Sequence, residues 1–257
     1  MKRAYVDIPE GQIHYQSGGS GEPILLLHLT ALSSDEYTKL MPILAKSYHV
    51  IAMDTLGYGK SDPPPRQYEI ADYARSVTNL LKALGISRIS VFGDRTGATI
   101  AVELAAAYPK LVNKLILLGF PNYTPEMREQ LSNSPRYQPM EIKEDGSHIM
   151  EYWQRHQHLP GRALEIRQMS FVGYMMAGTR VHDAHQSVWR YPCEERLPLV
   201  KSPTLLVCGD KDNLYDQLES TQGLIPRCQT KIIKGGGPSM SLEMPEVLAH
   251  TILNYLK

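Results

Sequence analysis

Apolar residues along the chain fall into two rhythms. Pro23-Ile24-Leu25-Leu26-Leu27-His28 is apolar without a break up to its final histidine, as a strand covered by helices on both faces would be. Val50–Met53, Arg88–Phe92, Val112–Leu118, Pro203–Cys208 and Thr230–Ile233 carry further strand runs. Residues 3–17 instead alternate around Pro9-Glu10-Gly11-Gln12, which predicts an N-terminal hairpin at a sheet edge. Between these runs the period lengthens to that of a helix. Tyr73, Val77, Leu80, Leu81 and Leu84 mark a helix from Ile70 that Gly85 stops. Other helices are predicted from Ser34 to Ala45, from Thr96 to Tyr108 ahead of Pro109, and from Glu243 to Lys257. Strands alternating with helices through right-handed crossovers predict the α/β class: a mostly parallel, doubly wound sheet of about eight strands with helices on both faces. From residue 121 to 198 the rhythm gives way to mixed segments rich in Met, Tyr, His, Arg and Gln, which predict an inserted helical lid. The core is then 1–120 with 199–257, and the lid 121–198.

The passage from strand to helix at Val91-Phe92-Gly93-Asp94-Arg95-Thr96-Gly97-Ala98 is abrupt. Gly93 and Gly97 have the spacing of Gly-x-Ser-x-Gly, where small residues let the backbone turn sharply and lift one side chain above the sheet. Here that side chain is Arg95, whose guanidinium has no lone pair to offer and cannot attack an acyl carbon.

Charge narrows the choice of partner. The 27 basic and 27 acidic side chains balance to a formal net charge of zero, so electrostatics argues neither for nucleic acid nor for a membrane surface. The expected partner is a small-molecule ligand, with self-association into a homodimer left open. Cys193, Cys208 and Cys228 are odd in number and widely spaced, which fits neither a disulfide framework nor a zinc site. No cofactor or metal is expected, and with no apolar run of membrane-spanning length the expected compartment is cytoplasmic.

In this order and spacing the chain resembles the α/β-hydrolase fold superfamily. Leu25-Leu26-Leu27-His28 is similar to the strand that enters the oxyanion loop, with Leu29 where glycine is usual. Asp54 to Asp62 resembles the Asp-x-x-Gly-x-Gly-x-Ser-Asp turn. Asp212, after Leu206-Val207-Cys208-Gly209-Asp210-Lys211, stands where the triad acid would be delivered. The loop Gly235-Gly236-Gly237-Pro238-Ser239 matches the one that carries the catalytic histidine, and Pro238 fills that place. The resemblance therefore implies a triad without its nucleophile and without its base. Taking Asp94 as the nucleophile, as in dehalogenases and epoxide hydrolases of this superfamily, would put Phe92 and Thr96 at the two close-packed positions.

The expected site places Arg95, Asp212, His28 and Asp94 in the catalytic region. Leu29, Thr30, Arg95, Thr96, Trp153 and Tyr174 are the expected ligand-binding residues. Main-chain N–H groups near Leu29, Thr30 and the helix start at Thr96 would form the oxyanion hole of relatives. His28 either braces that loop or transfers protons. Arg95 either pairs with Asp212 or Asp94, or binds an anionic ligand. His148, His156, His158, His182 and His185 are lid histidines that could supply a base from above. Three functions stay open. The first is a protein with a degenerate triad that binds a carboxylate, enolate or phenolate in a lidded pocket, non-hydrolytic in the manner of a lyase, decarboxylase or isomerase, or purely ligand-binding. The second is a hydrolase of an ester- or amide-like small molecule using a non-standard base, and the third a non-catalytic interaction module.

Overall fold

A computed structural model describes residues 1–134, 137, 141–155 and 163–257. Its single sheet has the strands β1 (Lys2–Ile8), β2 (Gly11–Gly18), β3 (Pro23–Leu27), β4 (His49–Met53), β5 (Ile89–Asp94), β6 (Val112–Leu118), β7 (Thr204–Gly209) and β8 (Cys228–Ile233), in the order β1-β2-β4-β3-β5-β6-β7-β8. β1 and β2 form the expected hairpin, with Ile8 opposite Gly11, and β2 runs antiparallel to β4. All other neighbours are parallel.

The uninterrupted apolar strands divide their side chains between two helical layers. Leu25, Leu27, Ile51, Met53, Val91, Leu115, Leu117 and Leu206 face one core, shared with Val77, Leu80 and Leu81 of α2 (Ile70–Ala83) and with α3 (Thr96–Ala107). Ile24, Leu26, Val50, Ala52, Phe92, Ile116, Leu118 and Val207 face the other. There they meet Met41 and Leu44 of α1 (Met41–Leu44), and Leu248, Ala249 and Ile252 of the final helix. The expected helix from Ser34 to Ala45 is in fact two pieces, a 3-10 turn at Ser34–Tyr37 and α1. Pro42 lacks an amide hydrogen and its ring would strike the carbonyl four residues earlier, so one continuous helix cannot run through it.

Between β6 and β7 lie α4 (Pro125–Ser132), α5 (Ser147–Arg155), α6 (Leu164–Ala177), α7 (Asp183–Arg190) and α8 (Cys193–Arg196). Polar contacts fasten the last two to the rest of the chain. The Tyr58 hydroxyl accepts from Ala184 N at 3.0 Å, and Ser187 Oγ donates to Tyr68 O. Buried Glu103 of α3 accepts from Arg196 at 2.8 and 2.9 Å and from the Tyr191 hydroxyl at 2.8 Å. α9 (Leu218–Leu224), between β7 and β8, has no counterpart in the sequence reading, and α10 (Met240–Glu243) and α11 (Pro245–Leu256) close the chain. Among the described residues no helix is long and apolar enough to cross a membrane.

Candidate functional site

β3 leads to β4 on one side and β5 lies on its other side, so the sheet has its switch of direction at the carboxyl ends of β3 and β5. Open α/β sheets receive ligands at such a point. The loops after these two strands are pressed together there. An ideal Cβ on Gly97 would lie 2.0 Å from Leu27 O, and one on Gly93 would lie 2.4 Å from Gly97 O, so neither position accepts a side chain without backbone movement.

Arg95 caps α3 at φ 50° and ψ −107°, the only positive φ outside glycine among the described residues. Such a conformation costs of order 1–3 kcal/mol and persists only where the surroundings hold it. Here Arg95 N donates to Leu118 O at 3.0 Å, and Arg95 O accepts from Thr99 N at 3.0 Å. The side chain, just past the carboxyl end of central β5, meets Asp212. One nitrogen, Nη2, lies 2.7 Å from Asp212 Oδ1 and 2.9 Å from Oδ2, and also reaches Asn213 Oδ1 at 3.2 Å. Asp212 is fixed in turn by Leu214 N, which donates to Oδ1 at 2.9 Å. Among the described residues, Nε and Nη1 of Arg95 have no acceptor. The loop carrying Pro238 is drawn against the same place, because Gly209 lets Gly236 approach and Lys211 N donates to Gly236 O at 3.0 Å.

Above the elbow is a cavity of about 470 Å³. Leu29, Thr30, Arg95, Thr96 and Pro238 line one side, and Tyr123, Tyr174, His182, His185 and Trp189, all from the segment between β6 and β7, line the other. Thr30 Oγ1 donates to Thr96 Oγ1 at 2.9 Å, clamping the loop after β3 to the start of α3. Lys211 and Asn213 complete one wall, and no carboxylate lines the cavity among the described residues.

A profile of the alpha/beta hydrolase fold matches residues 22–245. The chain belongs to the alpha/beta hydrolase fold family. It is similar to 2-(acetamidomethylene)succinate hydrolase of Mesorhizobium japonicum, with 26% identity over 98% of this chain and 94% of that one. The solved structure of a membrane phospholipase A, described as a bacterial virulence factor, matches with a TM-score of 0.81 at 25% identity, covering 99% of this chain and 85% of that one. An uncharacterised protein of Mycobacterium bovis is 37% identical over 105 residues, 41% of this chain, and the match spans about a third (31%) of that relative's length.

Within this alpha/beta hydrolase chain, four expected site residues do not line the cavity: Asp212, which touches it only through Arg95, and His28, Asp94 and Trp153. His28 is buried with both ring nitrogens engaged, since Thr55 N donates to Nε2 at 2.9 Å and Nδ1 lies 2.8 Å from Leu29 O. Burial holds its pKa below the ordinary imidazole value, which keeps the ring neutral with its proton on Nδ1. It braces the loop after β3 rather than facing the cavity. Asp94 points to the opposite side of the elbow, where Ser241 Oγ donates to it at 3.3 Å and the buried Glu36 carboxyl is its neighbour. Burial pushes Asp94 up to about 6, and burial together with the Asp94 charge raises Glu36 well above the usual carboxylate range. Glu36 Oε2 also accepts from Leu29 N at 3.0 Å, so this buried pair adjoins a loop that lines the cavity. Trp153 packs edge-on to Phe171 at 5.5 Å, beneath the Arg167 guanidinium, and lines no part of the cavity.

The sequence reading missed Tyr123, Lys211, Asn213 and Trp189 as cavity residues and left His182 and His185 undistinguished from the other lid histidines. A signal existed. His185, Val188 and Trp189 follow helical spacing on one face of α7, and all three line the cavity. His148 is occupied elsewhere, accepting from Lys143 N at 3.2 Å. His156 and His158 lie outside the described residues.

Proposed function

We propose that the cavity binds a small organic anion, a carboxylate, enolate or phenolate, and that the chain does not hydrolyse through the serine route of its family. Arg95 replaces the nucleophile and Pro238 the histidine base, leaving Asp212 as the retained member of a degenerate triad. The observation that carries the proposal is the one-nitrogen contact with Asp212. It satisfies the carboxylate with Nη2 alone and leaves the donors on Nε and Nη1 for a ligand. Each of these two nitrogens can donate to an oxygen of an anion, and the guanidinium stays charged at any physiological pH. Lys211 in the wall and the absence of a lining carboxylate among the described residues favour the same ligand charge. The N–H of Thr96 adds a donor, as the first turn of a helix leaves its amides without intrahelical partners. The M. japonicum relative is named for a substituted succinate, itself a small organic anion. Residues 121–198 serve as the lid over a core of 1–120 and 199–257.

Calorimetry with benzoate tests the proposal. Wild type should bind it, Arg95→Gln should lose the binding, and Arg95→Lys should retain part of it. Equal binding by wild type and Arg95→Gln would refute it. A second reading, hydrolysis with a cavity histidine as base, is favoured by His182 and His185 lining the same cavity. It requires turnover of p-nitrophenyl acetate that His182→Gln or His185→Gln abolishes.

A further inference from the structure

The carboxyl ends of the parallel strands hold the Arg95 cavity, and their amino ends carry a surface of a different kind. Shallow depressions adjoin one another there. Lys82, Ile86, Tyr108, Pro109 and Lys110 line the first, and Pro109, Leu199, Lys201, Pro226 and Arg227 the second. Pro226 and Arg227 recur in the third with Lys114 and Lys231. The shared residues join the three into one groove. It follows the order of the sheet, since Ile86, Lys110, Lys201 and Arg227 stand one to three residues ahead of β5, β6, β7 and β8 in turn. Neighbouring strands lie about 4.8 Å apart, so the steps from β5 to β8 span about 14 Å, which about four or five residues of extended chain cover. Strands of six or seven residues set the groove about 20 Å from the cavity.

Charge along this groove has one sign. Lys82, Lys110, Lys114, Lys201, Arg227 and Lys231 line it, and among the described residues no carboxylate does. Lys114 is committed, donating from Nζ to Tyr255 O and Leu256 O at 2.9 Å each. The other five make no ion pair among the described residues. Glu10, which Asn79 at one rim holds at 2.9 Å, is also paired with Arg75. The zero net charge of the chain conceals this local excess. Between the cations the lining is apolar, with Leu199 47% and Tyr108 37% exposed. β8 has a neighbour on one side only, so it can offer main-chain groups to an extended chain. We propose that the groove docks an extended acidic segment of a partner protein, whose carboxylates meet the five uncommitted cations and whose apolar side chains enter the depressions. A single-stranded nucleic acid fits less well, because it gains affinity by stacking on exposed rings. Tyr108 and Tyr255 stand at opposite ends of the groove, and Lys114 already lies over the Tyr255 ring at 5.5 Å.

The experiment uses the full chain and a fluorescein-labelled peptide of Glu-Glu-Leu repeats, about ten residues long, followed by fluorescence anisotropy. Alternate side chains of an extended segment point to opposite sides, so a period of three turns both Glu and Leu toward the groove. The peptide should bind, and more weakly as salt rises. Lys110→Glu with Arg227→Glu should weaken it by about tenfold or more, as two attractions become repulsions. Lys39→Glu with Lys60→Glu makes the same change in net charge beyond the carboxyl ends of β3 and β4 and should leave binding in place. All four side chains are exposed, and thermal melts confirm that both variants fold. Leu199→Ser should also weaken the peptide. The proposal falls if the peptide does not bind, if the two double variants lose it equally, or if an all-glutamate peptide of the same length binds as tightly. Tighter binding of a single-stranded oligothymidylate, or of phosphatidylserine vesicles, would overturn it in favour of another partner. None of these outcomes touches the Arg95 reading, which the benzoate measurement decides separately.

Discussion

Arg95 and Asp212 meet through a single guanidinium nitrogen that spans both carboxylate oxygens at 2.7 and 2.9 Å. Asp212 is almost fully enclosed, with 2% of its side chain exposed, against 18% for Arg95. Removing one partner strands a charge in a poorly solvated place, whereas replacing both with apolar groups of similar volume often costs little. Asp212→Ala should therefore destabilise the fold by about 2–4 kcal/mol. Arg95→Met combined with Asp212→Leu should recover most of that loss. Urea unfolding midpoints of the three proteins check it, and additive losses would show that the pair is not coupled.

Reintroducing a nucleophile and a base tests whether the rest of the hydrolytic machinery persists. Arg95→Ser with Pro238→His keeps Asp212 in place and should hydrolyse p-nitrophenyl acetate, which wild type should not. General base catalysis supplies roughly 10²–10⁴-fold. The double variant should exceed Arg95→Ser alone by a factor in that range, measured as initial rates near neutral pH. Equal rates for the two would mean that a histidine at 238 does not reach the new serine.

The buried pair beside Leu29 makes stability depend on pH. Asp94, raised from 3.8 to about 6, holds its proton more tightly in the folded chain, and Glu36 is shifted in the same direction. Their favourable contribution is complete below the unfolded carboxyl values and is lost as pH climbs through about 6 and beyond. Glu36→Gln supplies a permanent donor toward Asp94 and still offers an oxygen to Leu29 N. Thermal melts from pH 5 to pH 8 should show a smaller fall in Tm for Glu36→Gln than for wild type, with the two closest at pH 5. Parallel curves would contradict a coupling between the two carboxyls.

Two glycines separate crowding from conformational strain. At Gly97 an added Cβ would collide with Leu27 O at 2.0 Å, whereas at Gly85, with φ +69°, nothing lies within 4 Å. Gly85→Ala should cost about 1 kcal/mol for its left-handed backbone. Gly97→Ala should cost more, about 3 kcal/mol or above, because main chain must move. Denaturant midpoints of the two variants give the comparison.

The elbow was legible in the sequence because its cause is local. A strand that buries both faces must be apolar throughout, and the close approach of Gly97 to Leu27 tolerates only hydrogen at that position. Asp212 and Pro238 could be placed by their offsets from β7 and β8 for the same reason. Residues whose position depends on packing between distant segments were not legible. Trp153 and Tyr174 were alike in sequence as bulky aromatics of the insertion, yet Tyr174 reaches the cavity and Trp153 turns to Phe171 and Arg167. Asp94 adjoins Arg95 in the chain, but the turn sends consecutive side chains to opposite sides, and its partner Glu36 comes from a different loop. The broken helix at residues 34–45 was readable in principle from Pro42.

Glu103 belongs to the helix that Arg95 heads, and it is also the anchor for Arg196 and Tyr191 beyond α7. With Tyr58 and Tyr68 holding α7 at Ala184 and Ser187, the imidazoles on one side and the guanidinium on the other are mounted on one frame. If the recess takes an anion as proposed, two sides carried by one frame favour a stiff guest over a flexible one, which surrenders more freedom on ordering.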